Sequence, residues 1–383
     1  MNKTINQIAV AVAVALAVVP VFSSAAAWVP GYSLNADVSY DDNFFMSESE
    51  QDTVVYSVKP QVSLMYVSPV VKSELDARVA VKRYSEFEQF DSEDPAFDWK
   101  NSYKTERSNW GLDFGYSENS QRDAAELDTG VFDSNSLVET IYVNPRVNID
   151  LTEKDQLGIS LNYRDRDYDT IDFSDNDNQT LGLNWQHRLN EVLSTTAMVS
   201  ISQYDADRVT ISNSETEYLQ ATVGFIYKRS EAMTINGSLG HFETDRQQRL
   251  FFGPVTVLSD SETTGALVRL GVSYSYEKDV FSFNLSRGLY PSSQGLVEER
   301  DSIALDYEHQ FSGRSAGGIN ILWHDTESSL ENRETFTLSP FYRYRLTEKI
   351  DLQTSYIFRS FDRQSTLDKV ESNRVKVGLR YSF

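Results

Sequence analysis

The chain has 383 residues, a formal net charge of −22 and a mean hydropathy of −0.43. Acidity on that scale argues against nucleic acid as a partner, because a polyanion is repelled by another. Cysteine is absent, which excludes a disulfide framework and a lipidated N-terminal cysteine.

The N-terminus carries Lys3, an apolar run from Ile8 to Val19, Pro20 and then the small residues Ser23, Ser24, Ala25, Ala26 and Ala27. This is the pattern of a cleavable secretory signal over residues 1–27, with the cut after Ala27. The apolar run is too short for a membrane-spanning helix, which needs roughly 20 residues, and no later run reaches that length.

From Trp28 onward the hydrophobic period is two, the signature of strands with one apolar and one polar face. Leu157, Ile159, Leu161 and Tyr163 share a face against Gly158, Ser160, Asn162 and Arg164. Leu219, Ala221, Val223, Phe225 and Tyr227 repeat the pattern, as do Ala266 to Tyr276 and Ile303 to His309. Two kinds of connection alternate between the runs. Short charged turns fall at Ser68-Pro69, Glu106 to Ser108, Thr152 to Asp155, Asn190-Glu191, Arg229 to Glu231, Glu277 to Asp279, Ser312 to Ser315 and Thr347 to Lys349. Longer acidic segments fall at Asp41 to Gln51, Glu88 to Asp98, Gln121 to Ser134, Asp169 to Asn178, Asp205 to Ser214, Arg246 to Asp260 and Pro291 to Glu299.

Short turns on one side and long loops on the other predict an all-β, transmembrane, antiparallel up-and-down barrel over residues 28–383. The count comes to about 18 strands (16–18) of roughly 9 to 11 residues, an even number that places both termini in the periplasm. A propeller has a similar repeat length but would carry blade signatures that this chain lacks. The last segment alternates Val375, Val377, Leu379 and Tyr381 with Lys376, Gly378 and Arg380, and ends at Phe383. Leu379, Tyr381 and Phe383 on one face of a final amphipathic strand resemble the C-terminal signal read by the outer-membrane barrel-assembly machinery.

Several segments together resemble the β-barrel porin 2 family, outer-membrane proteins associated with exopolysaccharide biosynthesis and export. They are Tyr40-Asp41-Asp42-Asn43-Phe44-Phe45 after the first strand, Tyr103-Lys104-Thr105-Glu106-Arg107-Ser108 followed by Trp110-Gly111-Leu112, Asp128-Thr129-Gly130, and the Leu-Thr-Glu-Lys turns. The resemblance spans the mature chain and rests on structural motifs. It implies a secretion pore for an exopolysaccharide, seated among outer-membrane lipid and lipopolysaccharide and working with a periplasmic polysaccharide export protein. A general small-solute porin is the alternative, and an adhesive or structural barrel is a third reading.

The sequence offers little for catalysis, and no cofactor is expected. Gly313-Arg314-Ser315-Ala316-Gly317 matches the hydrolase elbow but sits in a turn between strands, without the strand-to-helix context that exposes such a serine. His187, His241, His309 and His324 fall on different strands with no metal-ligand spacing. Asp172, Asp175 and Asp177 lack the glycine and terminal glutamate of a calcium loop and read as a solvated acidic loop.

If the apolar parity faces lipid, the opposite parity places Arg78, Lys82, Arg146, Arg164, Arg166, Arg269, Arg343, Arg345, Arg359, Lys376 and Arg380 in the lumen. Glu74, Asp76, Asp113, Asp306 and Glu308 share that parity, and most other carboxylates fall in the loops. Two readings follow. The basic residues form a cationic wall that favours anionic cargo, or they pair with neighbouring carboxylates to fill the barrel.

Overall fold

A strand with one apolar and one polar face is stable in a bilayer only when its backbone donors and acceptors are all paired, and closing strands into a ring achieves this. A computed structural model, describing residues 28–124, 130–208, 212–252, 255–328, 331–363 and 369–382, shows that ring. Its strands are β1 (Trp28–Asp41), β2 (Thr53–Val67), β3 (Val71–Tyr84), β4 (Ser92–Lys104), β5 (Ser108–Ser120) and β6 (Leu137–Asp150). They continue with β7 (Asp155–Tyr168), β8 (Asp175–Arg188), β9 (Leu193–Arg208), β10 (Ser212–Lys228), β11 (Met233–Phe252) and β12 (Val255–Tyr276). The last third comprises β13 (Asp279–Pro291), β14 (Val297–Gln310), β15 (Ser315–Glu327), β16 (Arg333–Arg345), β17 (Ile350–Arg363) and β18 (Val370–Ser382).

All 18 strands form one sheet in sequence order, each antiparallel to its neighbours. β18 pairs back onto β1, from Ser33 opposite Ser382 to Asp41 opposite Arg374, which closes the ring. The eight turns expected from sequence each join a hairpin. Side-chain hydroxyls close several of them: Ser68, Thr105, Thr152, Ser312 and Thr347 each accept backbone N–H groups from their own turn.

The ladder register carries one parity rule around the ring, because residues directly opposite in an antiparallel pair project to the same side. The outward set includes Leu161, Leu181, Ile201, Leu219, Val223 and Leu239, all highly exposed. Exposed aromatics flank this apolar belt, with Tyr103, Trp110, Trp185 and Tyr276 toward the turns and Tyr40, Tyr56 and Tyr356 toward the loops. Such a surface fits a bilayer and its two interfaces, and no aqueous contact would favour it.

Two expectations require correction. Strands run from 13 to 22 residues, longer than the 9 to 11 that cross the hydrocarbon, because many continue past the lipid belt as paired ribbons. Several acidic segments read as loops are therefore strand. Ser92 to Asp98, Asp175 to Asn178, and much of Asp205 to Ser214 and Arg246 to Asp260 lie in ladders, with Leu250 opposite Val257 on the longest ribbon. Density of charge and hydroxyls masked their alternation, since beyond the bilayer both strand faces are polar. The signal segment 1–27, the Asp128-Thr129 pair and Phe383 lie outside the described residues.

A barrel wall has no second layer, so its buried clusters form where loops fold inward. Phe44, Tyr84 and Phe90 pack with Phe45, Val55 and Phe87. Met46, Phe132, Phe361 and Val370 make a second cluster, and Tyr204, Ala206 and Tyr218 with Leu289 and Val297 a third.

Candidate functional site: the lumen wall and its inward loops

The segment after β5 begins with a single helical turn, α1 (Gln121–Ala124), and turns into the barrel. Arg122 is buried with its guanidinium 3.5 Å from the centroid of the Phe44 ring, and it donates to the Phe44 carbonyl. Burial, reinforced by the cations Arg374 and Arg359, draws its pKa down to about 9, so it remains charged at neutral pH against a real desolvation cost. Further along, Gly130 adopts φ +68°, and a Cβ there would overlap the Phe361 ring. Arg363 donates to the Gly130 carbonyl, and Phe132 packs edge-on against Phe361 at 5.5 Å. This loop thus leaves the wall at β5 and docks against β17.

The β13–β14 loop reaches inward from another side. Gly295 has φ +77° and lies against Ser174 and Ala206. Tyr204 donates to the Ser292 carbonyl at 2.6 Å, the Ser174 N–H donates to the Ser293 carbonyl at 2.8 Å, and Gln121 Nε2 donates to Ser293 Oγ at 3.3 Å. Loops from three hairpins therefore meet inside the loop-side end of the barrel and narrow it.

Beneath them, the register places every one of the basic residues expected in the lumen on the inward parity. Seven have carboxylate partners. Arg78 contacts Asp76 (3.1 Å) and Asp98 (2.7 Å), and Lys82 contacts Asp94 (2.6 Å) and Asp123. Arg146 contacts Asp113 (2.5 Å), Arg343 contacts Glu308 (2.7 Å) and Arg345 contacts Asp351 (3.4 Å). Arg359 contacts Asp41 (2.8 Å) and Lys376 contacts Asp37 (3.1 Å). Among the described residues Arg164, Arg166, Arg269 and Arg380 have no carboxylate within 4.0 Å.

Asp41 is the node of this network. It is fully buried and accepts from Arg359, from Arg374 Nη2 (2.6 Å) and Nε (3.0 Å), and from Ser372 Oγ (2.6 Å), with Arg122 at 3.9 Å. Glu298 and Arg333 form a second buried pair at 2.6 Å. Sequence reasoning missed Asp41, Asp94 and Asp98 as lumen groups because they fall within segments read as loops. It missed Arg246, inward on β11, for the same reason; strand parity carried through the charged ends would have found all four.

Carboxylates are distributed unevenly around the wall. From β14 through β18 and β1 to β6 the inward positions include Asp37, Asp76, Asp98, Asp113, Asp306 and Glu308. From β7 to β13 no inward position of a described strand is acidic. They hold Ser, Thr, Asn, Gln, Tyr and Gly for the most part, with Arg164, Arg166, Arg246 and Arg269 along the strands and Arg188, Arg208 and Lys228 at strand ends. The same strands present Asp165, Asp167, Asp175, Asp177, Asp205 and Glu215 outward near the loop end.

The other sequence candidates are scattered. Ser315 bonds Ser312 across its turn at 2.8 Å. His187 and His309 stand at the turn side, each 2.8 Å from a carboxylate, Asp155 and Asp279, while His324 faces the lumen. No cluster among the described residues could hold a metal ion.

No family model matches the chain, and comparison with curated proteins gives no significant match. Among solved structures it is similar to Acinetobacter baumannii OccAB3 (10% identity, TM-score 0.49, covering 93% of this chain and 99% of that one). It is also similar to Pseudomonas aeruginosa OccK1 (OpdK), at 13% identity and TM-score 0.47 over 92% and 99% of the two chains. The siderophore receptor PirA from Pseudomonas aeruginosa is similar at 9% identity and TM-score 0.46, over 92% and 80%.

Proposed function

We propose that the protein is a bacterial outer-membrane channel through which small hydrophilic solutes diffuse, with its turns and both termini on the periplasmic side. The observation that carries this reading is the polar inward face of a closed 18-strand wall whose outward face is an apolar belt. A ring of that strand number encloses more space than wall side chains alone can fill, so water enters unless loops close it. The inward loops narrow one end and set the size of what passes.

The exopolysaccharide route implied by the resemblance fits this geometry less well. Arg122 is pinned to Phe44 in the β1–β2 loop, and Gly130 and Phe132 to β17, in the path that a polymer would take. Small solutes need no such segment to move.

Purified protein in planar bilayers is expected to give stepwise ionic conductance, and replacement of residues 121–136 by a short Gly-Ser linker is expected to raise the unitary step. Absence of any conductance from correctly folded protein would remove the channel reading. Wild-type capsule or matrix lost on gene deletion, with solute uptake intact, would restore the polymer reading.

A further inference from the structure

We infer that strands β7–β13 form a binding track for anionic, polyhydroxylated solutes, with its principal acid-binding point at Arg164 and Arg166. The inference rests on the channel reading above and names the substrate class for it.

In the arc from β14 to β6 most inward cations meet a carboxylate of the protein itself. Arg164 and Arg166 do not. They stand two residues apart on β7, so both guanidiniums enter the lumen side by side. The carboxylates that alternate with them, Asp165 and Asp167, project from the opposite face of the same strand. Two adjacent like charges with no carboxylate within 4.0 Å among the described residues are unfavourable in a confined space, and an anion in the lumen would supply the missing negative charge. A guanidinium pair suits an acid group well, since each presents a planar fork of donors that matches carboxylate or phosphate oxygens.

The neighbouring positions supply the rest of the recognition. The register runs from Arg164 past the half-buried Asn178, and across Tyr204 and Thr216, both buried and closed to a solute, to the half-buried Arg246 on β11, roughly 19 Å away at about 4.8 Å per strand. Asn178 Oδ1 accepts the Tyr218 hydroxyl at 3.0 Å, which leaves its amide N–H groups as donors. Arg246 uses Nε on Ser214 at 3.0 Å and keeps its terminal nitrogens for other acceptors. Toward the turn side the lumen-exposed Asn162, Asn184 and Asn236 lead to Arg269. Amides and hydroxyls act as both donors and acceptors, as sugar hydroxyls require. Carboxylates, which would repel an acid, are missing from the inward positions of the described strands in this arc.

The test uses the mature protein in planar bilayers under a potassium chloride gradient, with gluconate, glucose 6-phosphate and glucose as probes. The wild type is expected to be anion-selective. Gluconate or glucose 6-phosphate should interrupt the current at concentrations at least tenfold below glucose, the stronger of the two naming the preferred acid group. The Arg164→Gln, Arg166→Gln double variant should retain unitary conductance while losing tenfold or more in anion block. Arg287→Gln, which removes a cation on the outer face, should keep it. A cation-selective wild type, or a double variant whose block is unaltered, would overturn the inference. Should no current flow at all, the channel reading fails separately. Calorimetric titration of the detergent-folded protein with gluconate and with glucose 6-phosphate then decides the site: binding weakened tenfold in the double variant supports it, and no binding of either overturns it. Heat-modifiable migration on gels confirms that each variant is folded.

Discussion

The two arcs of the lumen wall obey the same strand geometry and differ in what they do with charge. Between β14 and β6, cations and carboxylates alternate across neighbouring strands and neutralise one another, and the same arc holds Arg122, Gly130 and Phe132 of the inward loop through Phe44, Arg363 and Phe361. Between β7 and β13 the carboxylates have been moved to the outer face and the inner face keeps its arginines. Charge balance in the first arc makes a scaffold; its absence in the second leaves a field directed into the lumen. Net charge of the whole chain predicts neither, because parity sorts residues a single position apart onto opposite sides of the wall.

The largest effect should come from removing the node of the scaffold. Asp41→Ala strands the guanidiniums of Arg359 and Arg374 in a buried setting, and breaking such a network from one side costs about 3–5 kcal/mol. The urea midpoint for unfolding, followed by heat-modifiable migration, should fall accordingly. An unchanged midpoint would mean that the arc is held by its backbone ladder alone and that the contrast between the arcs is not structural.

Next in size is a test of the parity rule itself. Leu181→Arg places a cation on the lipid face, where the cost at the midplane is about 2–4 kcal/mol. Thr180→Arg, one residue earlier, turns the same cation into the lumen and should cost much less. Equal destabilisation of the two would show that the register of β8 is wrong.

How much of this was legible in the sequence follows the same division. Within the bilayer, period two gave strand identity, the turns and the lumen parity of residues such as Arg343 and Lys376, because lipid imposes a strict contrast between faces. Past the bilayer both faces meet water, the contrast fades, and Asp94, Asp98 and Arg246 read as loop although they extend the ladders. Partners across the ring were not legible either. Asp41 meets Arg374 only because β18 closes onto β1, at a separation of 333 residues that no local pattern reports. The docking of Arg122 on Phe44 likewise depends on where a loop folds, which hydrophobic period does not encode.

Adding a carboxylate to the arc that lacks one should leave stability nearly untouched and change selectivity. Asn184 faces the lumen on β8 and is exposed, so Asn184→Asp should shift the unfolding midpoint by no more than about 0.5 kcal/mol. Its reversal potential in a salt gradient should move toward cations, as a new fixed negative charge on an otherwise cationic face requires. A potential equal to that of the wild type would place the permeation path along the other arc.

The smallest expected effect lies in the balanced arc and completes the comparison. Lys376 contacts Asp37 at 3.1 Å with 42% of its side chain exposed, so the pair is well hydrated and Lys376→Gln should cost less than about 1 kcal/mol. The electrical consequence has a definite sign, because the substitution removes a positive charge and leaves the Asp37 carboxylate uncompensated. Anion preference should decline slightly, and by less than in Asn184→Asp, since the change falls in the arc whose cations and carboxylates largely neutralise one another. If Lys376→Gln instead abolished anion preference while Asn184→Asp had no effect, the field that selects solutes would belong to the paired residues, and the roles assigned to the two arcs would have to be exchanged.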